Sequence, residues 1–266
     1  MKYTRVATAA ILLPVFILTT LYAPAVVFAA IIAVLAGICF NEYSTMAENR
    51  GIKVFRFRGF LAAMVLPLSF IHSASVVYVL LVLIIASIIT GGLAAEGERD
   101  GVESAAFTTF GVFYIGPAFA SALLIRSMPD GPLLFLLGCV ATWGADIGAY
   151  YTGRFFGKTK LVPSISPNKT VEGFIGGAVL SILFSLLFFV LFFRSADLVI
   201  VLAAGLIGGL IGPVGDISES KLKRYFGVKD SGTILPGHGG LLDRADAMLF
   251  SIPFFYIFLA LKGGLF

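Results

Sequence analysis

Long apolar runs separated by short polar connections recur along the chain at 6–22, 24–40, 60–72, 74–95, 105–126, 131–152, 171–193, 197–215 and 245–262. A helix rises about 1.5 Å per residue, so about 20 apolar residues cross the roughly 30 Å of hydrocarbon in a bilayer. The pattern predicts an all-α integral membrane protein with about nine transmembrane helices. The third run, LAAMVLPLSFIH, is short and carries Pro67, which suits a tilted or re-entrant piece as well as a span.

The basic residues test that count, because lysine and arginine in short loops stay on the cytoplasmic side. With the N-terminus cytoplasmic, every lysine and arginine except Arg126, Arg194 and Lys262 falls on the inner face. An eight-helix count breaks this partition. Lys2 and Arg5 ahead of an apolar run also resemble a signal peptide, but no small-residue cleavage site ends the run, and an uncleaved first helix is expected.

Composition agrees. The chain is 59% hydrophobic, with a mean hydropathy of +1.00, well beyond ordinary soluble domains. The net charge of +4 follows from the topology, so no nucleic-acid partner is implied. Cys39 and Cys139 lie in apolar segments and read as packing residues. Glycines at 173, 176, 177, 205, 208, 209 and 212 give GxxxG spacings, so the seventh and eighth helices are expected to pack closely in the interior. No soluble domain, linker or clear repeat is visible. The expected division is an N-terminal part, 1–104, carrying helices one to four, and a catalytic part, 105–266, carrying the rest with cytoplasmic loops 153–170 and 216–244.

Candidate chemistry gathers in three polar stretches. The first, 41–59, interleaves basic residues with Phe55 and Phe57, which suits the headgroup level or a topology-setting loop. The second, TWGADIGAYYTGRFFGKTKLVPSISPNKTVEG, begins inside the sixth helix. Asp146 there costs about 2.5 to 3.5 kcal/mol at membrane depth unless it faces a polar cavity or partner. Thr170 is expected to cap the seventh helix, with Glu172 in its first turn; a helix start with Lys169 beside it favours phosphate as well.

The third stretch, GDISESKLKRYFGVKDSGTILPGHGGLLDRAD, holds five acids and five bases in an otherwise greasy chain. If the eighth helix continues past Gly215, Asp216, Glu219 and Lys223 share one face. Asp243 and Asp246 stand at i and i+3 where the ninth helix is expected to begin. Between these ends, glycines at 227, 232, 237, 239 and 240 permit the tight backbone that would bring them together. Opposed carboxylates call for a cation, and Mg²⁺ takes a few carboxylate oxygens together with water and phosphate oxygens. Metal beside lysine and arginine points to a polyphosphate substrate. No cysteine–histidine cluster supports zinc, no GxxxxGK[ST] loop is present, and His72 sits in a short external turn with no chemistry expected.

SKLKRYFGVKDSGTILPGHGGLLDRAD, with its S-x-L-K-R start, K-D-S-G centre, P-G-H-G-G turn and D-R-x-D end, resembles the signature of the phosphatidate cytidylyltransferases, or CDP-diacylglycerol synthases. The upstream block DIGAYYTGRFFGKTKL with SPNKTVEG is similar to the same family, whereas the N-terminal third carries no motif. The resemblance implies that CTP and phosphatidic acid give CDP-diacylglycerol and pyrophosphate at the cytoplasmic face. It implies Mg²⁺, with room for a second cation, held by Asp216 and Asp243. Lys223, Arg224, Lys229, Asp230, His238, Arg244 and Asp246 would line the nucleotide and phosphate site. Ser166 and Ser220, within the matched blocks, join Asp146 and Lys169 as candidate substrate contacts. A polar funnel open to cytosol and lipid, a homodimer, and a multi-pass location in the inner or plasma membrane complete the expectation. A CTP-dependent lipid kinase is the rival enzyme, and an ion-coupled transporter, motivated by Asp146, is the rival from another class. The DG-x-x-A-R motif of CDP-alcohol phosphotransferases is absent.

Overall fold

Where described, the apolar runs lie largely on helices in the computed structural model, which describes residues 2–69, 74–94, 98–235, 237 and 239–263. His72 lies outside the described residues. The elements are α1 (Lys2–Tyr22), α2 (Ala25–Asn49), α3 (Arg56–Ser69), α4 (Ala74–Leu93), α5 (Glu98–Arg126), α6 (Gly131–Phe156), β1 (Lys160–Val162), β2 (Ser166–Thr170), α7 (Val171–Phe192), α8 (Leu198–Tyr225), α9 (Leu242–Ala245) and α10 (Met248–Lys262). Among the described residues, α2, α5, α6, α7 and α8 are long and apolar enough to cross a bilayer, while α1, α4 and α10 offer shorter apolar stretches. The chain is largely helical, with the character of a multi-pass membrane protein.

Two units divide the chain, one of Met1–Leu124 with Tyr225–Arg244, the other of Ile125–Arg224 with Ala245–Phe266. In the first, α2 forms the core. Ala36, Cys39, Phe40, Tyr43, Met46 and Ala47 are all buried, a stripe at helical spacing that carries α2 to Asn49 rather than ending it at residue 40. Tyr43 donates to the Phe107 carbonyl at 2.9 Å, and Phe226 meets its ring edge-on at 5.7 Å. The Arg50 guanidinium donates to the Tyr225 carbonyl and lies 4.6 Å over that ring. These contacts fix the start of the 225–244 segment against α2 and α5. The latter begins at Glu98, earlier than its apolar run; Ser104, ahead of that run, is buried, and its carbonyl accepts from the Thr108 hydroxyl, which itself accepts from the Phe55 amide.

In the second unit α6, α7 and α8 approach closely at glycines. A Cβ at Gly148 would stand 2.7 Å from the Gly176 carbonyl oxygen, and one at Gly209 would stand 2.6 Å from the Ala178 Cα. Ser181 donates to the Ala141 carbonyl at 2.7 Å, and the Thr142 and Ser251 hydroxyls bond across α6 and α10. Only these faces are covered. Ile175, Val179, Leu183 and Leu187 on α7, and Leu202, Leu206, Leu210 and Val214 on α8, are exposed, so the expected interior position holds for one face of each helix and fails for the other.

The all-α expectation also misses a hairpin. β1 and β2 pair antiparallel, with Lys160 opposite Thr170 and Val162 opposite Ser166. Pro163 and Pro167 disfavour helix here, and a two-stranded edge tolerates Pro167. β2 runs directly into α7. Thr170 is the N-cap, accepting from the Gly173 amide at 3.1 Å, while Glu172 accepts from the amides of Lys158 and Thr159. The hairpin base is thereby tied to the first turn of α7.

Candidate functional site

In the second unit, α8 continues unbroken past Gly215 to Tyr225. This places Asp216, Glu219, Ser220 and Lys223 on successive turns. Asp216 Oδ2 receives Lys169 Nζ at 2.7 Å, from β2, and Ser220 Oγ stands 3.4 Å from Asp216 Oδ1. Glu219 is fully buried and pairs with Lys223 one turn on. Ser166, at the start of β2, is half-buried; Asp146, on α6, is exposed.

Asp246 stands in the turn between α9 and α10, so the single helix start expected at residue 245 is split, and α10 begins at Met248. Burial, and then the Asp216 carboxylate, push the Asp246 pKa up to about 7; Asp146 acts in the same direction, while the Ala247 amide and Lys223 oppose. Asp246 thus feels both other aspartates, with Lys223 opposing them and Lys169 paired to Asp216.

The first unit contains the glycine-rich segment. Gly227, Gly237 and Gly239 have φ of 75°, 77° and 82°, backbone that residues with a side chain rarely adopt. Asp243 is buried, and its Oδ2 accepts from the Ser231 amide at 2.9 Å and the Gly240 amide at 2.8 Å. Lys229, Asp230 and Arg244 are exposed, as is Arg224 at the end of α8 in the second unit. His238 lies outside the described residues.

Glu42 escaped the sequence reading, which assigned it to a surface loop. It is 5% exposed on α2, and accepts from the Leu241 amide at 2.9 Å, the Leu242 amide at 2.8 Å and the Ser231 hydroxyl at 3.3 Å. The available signal was its register, three after Cys39 and four before Met46 on the buried stripe.

Among the described residues, no group of three or more His, Cys, Asp or Glu side chains is arranged to hold a metal ion. The donors present are carboxylate oxygens, which suit a hard cation that needs one or two of them and completes its shell from water and phosphate. Cys39 and Cys139 are both buried in helices, and no thiolate set for zinc is formed.

The chain is similar to phosphatidate cytidylyltransferases of Bacillus subtilis (43% identical over 160 residues, 60% of each chain). Those of Staphylococcus haemolyticus and Staphylococcus aureus are 43% identical over 162 residues, covering 61% of this chain and 62% of theirs. The chain thus matches about 60% of the length of these relatives. A model of the cytidylyltransferase family matches residues 3–262. The chain belongs to the cytidylyltransferase family.

Proposed function

We propose that this protein transfers the cytidylyl group of CTP to phosphatidic acid, giving CDP-diacylglycerol and pyrophosphate. The observation that carries the reading is the carboxylate and lysine cluster where α8 leaves its apolar stretch, in a chain of this family. An enzyme handling a nucleoside triphosphate and a lipid phosphate needs charge of this kind where its apolar helices end.

A phosphate oxygen of phosphatidic acid attacks the α-phosphorus of CTP, the bond from that phosphorus to the bridging oxygen breaks, and pyrophosphate leaves with the electron pair. The phosphate dianion is already a competent nucleophile, so the step needs alignment and charge neutralisation more than a base. Lys223, Arg224, Lys229 and Arg244 meet phosphate oxygens, with Asp230, His238 and Asp246 completing the nucleotide side. Ser166, Lys169, Ser220 and Asp146 form the lipid-phosphate side. Asp216 and Asp243 are the carboxylates assigned to Mg²⁺, alone or with a second cation. When bound, Mg²⁺ would supply positive charge to the reacting phosphates.

In this reading the N-terminus is cytoplasmic, nine helices cross the inner or plasma membrane, and a polar funnel opens to the cytosol and, between helices, to lipid. A homodimer is part of the same reading. The test is detergent-purified protein given phosphatidic acid, Mg²⁺ and CTP labelled at the α-phosphate. Label in the lipid with matching pyrophosphate release supports the transfer; label confined to soluble nucleotide, with γ-label in the lipid instead, points to the lipid kinase and overturns it.

A further inference from the structure

We infer that Glu42 is a positioning residue, holding the 231–242 segment in the conformation that presents Asp243; this rests on the proposed role of Asp243. Glu42 is separated from the segment by about 190 residues of chain, yet every partner found for it among the described residues belongs there. Its Oε1 takes the Leu241 amide, and its Oε2 takes the Leu242 amide and the Ser231 hydroxyl. Ser231 Oγ in turn accepts from the Asp243 amide at 3.3 Å, and Asp243 Oδ2 accepts from the amides of Ser231 and Gly240. Two buried carboxylates and one hydroxyl therefore close a single network around the segment.

The glycines report the same fit. A Cβ at Gly232 would stand 2.7 Å from Glu42 Oε1, and one at Gly240 would stand 2.0 Å from Ser231 Oγ and 2.6 Å from Glu42 Oε2. At these two positions the missing side chain makes room for the Glu42 carboxylate, which gives the segment's glycine density a second cause besides turning. A buried carboxylate is costly without donors, and buried amides are costly without acceptors, so α2 and the segment order one another. Since Leu241 and Leu242 are pinned, the backbone entering Asp243 is pinned too. Glu42 thus acts through Asp243.

The test compares wild type with Glu42→Gln, which turns an amide group toward a backbone donor, and Glu42→Asp, which keeps the charge on a shorter arm. Hydrogen–deuterium exchange is read over 229–243, with α6 and α7 as internal controls. Glu42→Gln should speed exchange across 231–242 at least about tenfold while the control helices are unchanged. In the same sample kcat should fall at least about tenfold with the KM for CTP within about threefold, and Glu42→Asp should recover part of the loss. Ser231→Ala, which removes the bridging hydroxyl, carries the same expectation at smaller amplitude if Glu42→Gln does not fold. Unchanged exchange, or faster exchange with wild-type kcat, overturns the inference. A wild-type protein that releases no pyrophosphate would instead sink the functional reading, leaving the anchor to be decided by exchange.

Discussion

Lys169 Nζ lies 2.7 Å from Asp216 Oδ2, joining the strand that precedes α7 to the face of α8 where the apolar stretch ends. Both side chains are largely shielded, 23% and 32% exposed, so solvent screens the pair only in part. Without the lysine, Asp216 loses this ion pair, and an incoming phosphate loses a cation. A hydrogen bond to a charged group contributes about 1.5 to 3 kcal/mol, so Lys169→Ala should lower kcat/KM for phosphatidic acid roughly 10- to 100-fold. Lys169→Arg keeps the charge but not the compact ammonium and should fall between. Steady-state pyrophosphate release in mixed micelles measures both, and a wild-type value for Lys169→Ala would remove this lysine from the site.

Asp216→Ala and Asp243→Ala should each abolish nucleotide transfer, but they should differ in stability. Asp243 accepts two buried amides, from Ser231 and Gly240. Leaving them without an acceptor costs about 1 to 3 kcal/mol each. Asp216 pairs instead with a lysine that is still partly exposed and can turn to water. Thermal unfolding in detergent should therefore show Asp243→Ala as the less stable of the two, with Asp216→Ala close to wild type. Substantial transfer by either purified variant would refute its assignment.

What the sequence made legible follows from how local each cause is. The helices follow from hydropathy that any short window contains, and the Thr170 cap and the continuation of α8 follow from neighbours a few residues apart. Glu219 was placed correctly on its helix, yet its complete burial was not foreseen, because burial depends on what packs against α8. The β1–β2 hairpin is short enough for three residues to pair with five, below what alternation can mark. Glu42 is the clearest case. A lone acid at the polar end of an apolar run looks solvated, and only its distant partners, Leu241 and Leu242, make it a core residue.

Asp246 should leave a mark on the pH dependence of stability. Its folded pKa is raised from an ordinary value of 3.8 to about 7, burial being the main cause and Asp216 the next. Between those values the folded chain keeps a proton that the unfolded chain releases, so stability falls as pH rises. The contribution is complete below about pH 4 and lost by about pH 7. Other carboxylates titrate in the same window, so the quantity to measure is the difference between wild type and Asp246→Asn in chelator, by thermal unfolding from pH 4 to 8. The gap should shift in favour of the Asn variant as pH rises. A gap that does not change with pH would show that Asp246 titrates normally.

Gly148 ties helix packing to the placement of Lys169. A Cβ there would stand 2.7 Å from the Gly176 carbonyl oxygen and 2.9 Å from the Gly177 Cα, backbone atoms that cannot turn aside as a side chain can. Gly148→Ala must push α7 off α6, an overpacking that typically costs about 1 to 3 kcal/mol. Because β2 enters α7 at Thr170 without a linker, the displacement also moves Lys169 relative to Asp146 on α6. Activity should therefore fall further than stability alone explains, at a temperature where the variant is still folded. Gly51→Ala is the control: that glycine has φ of 80° and nothing within 4 Å of an added Cβ, so it costs stability through backbone strain alone, of about 1 kcal/mol. If the two variants, matched for unfolding temperature, turn over equally fast, close approach of α6 and α7 serves stability and does not set the lysine.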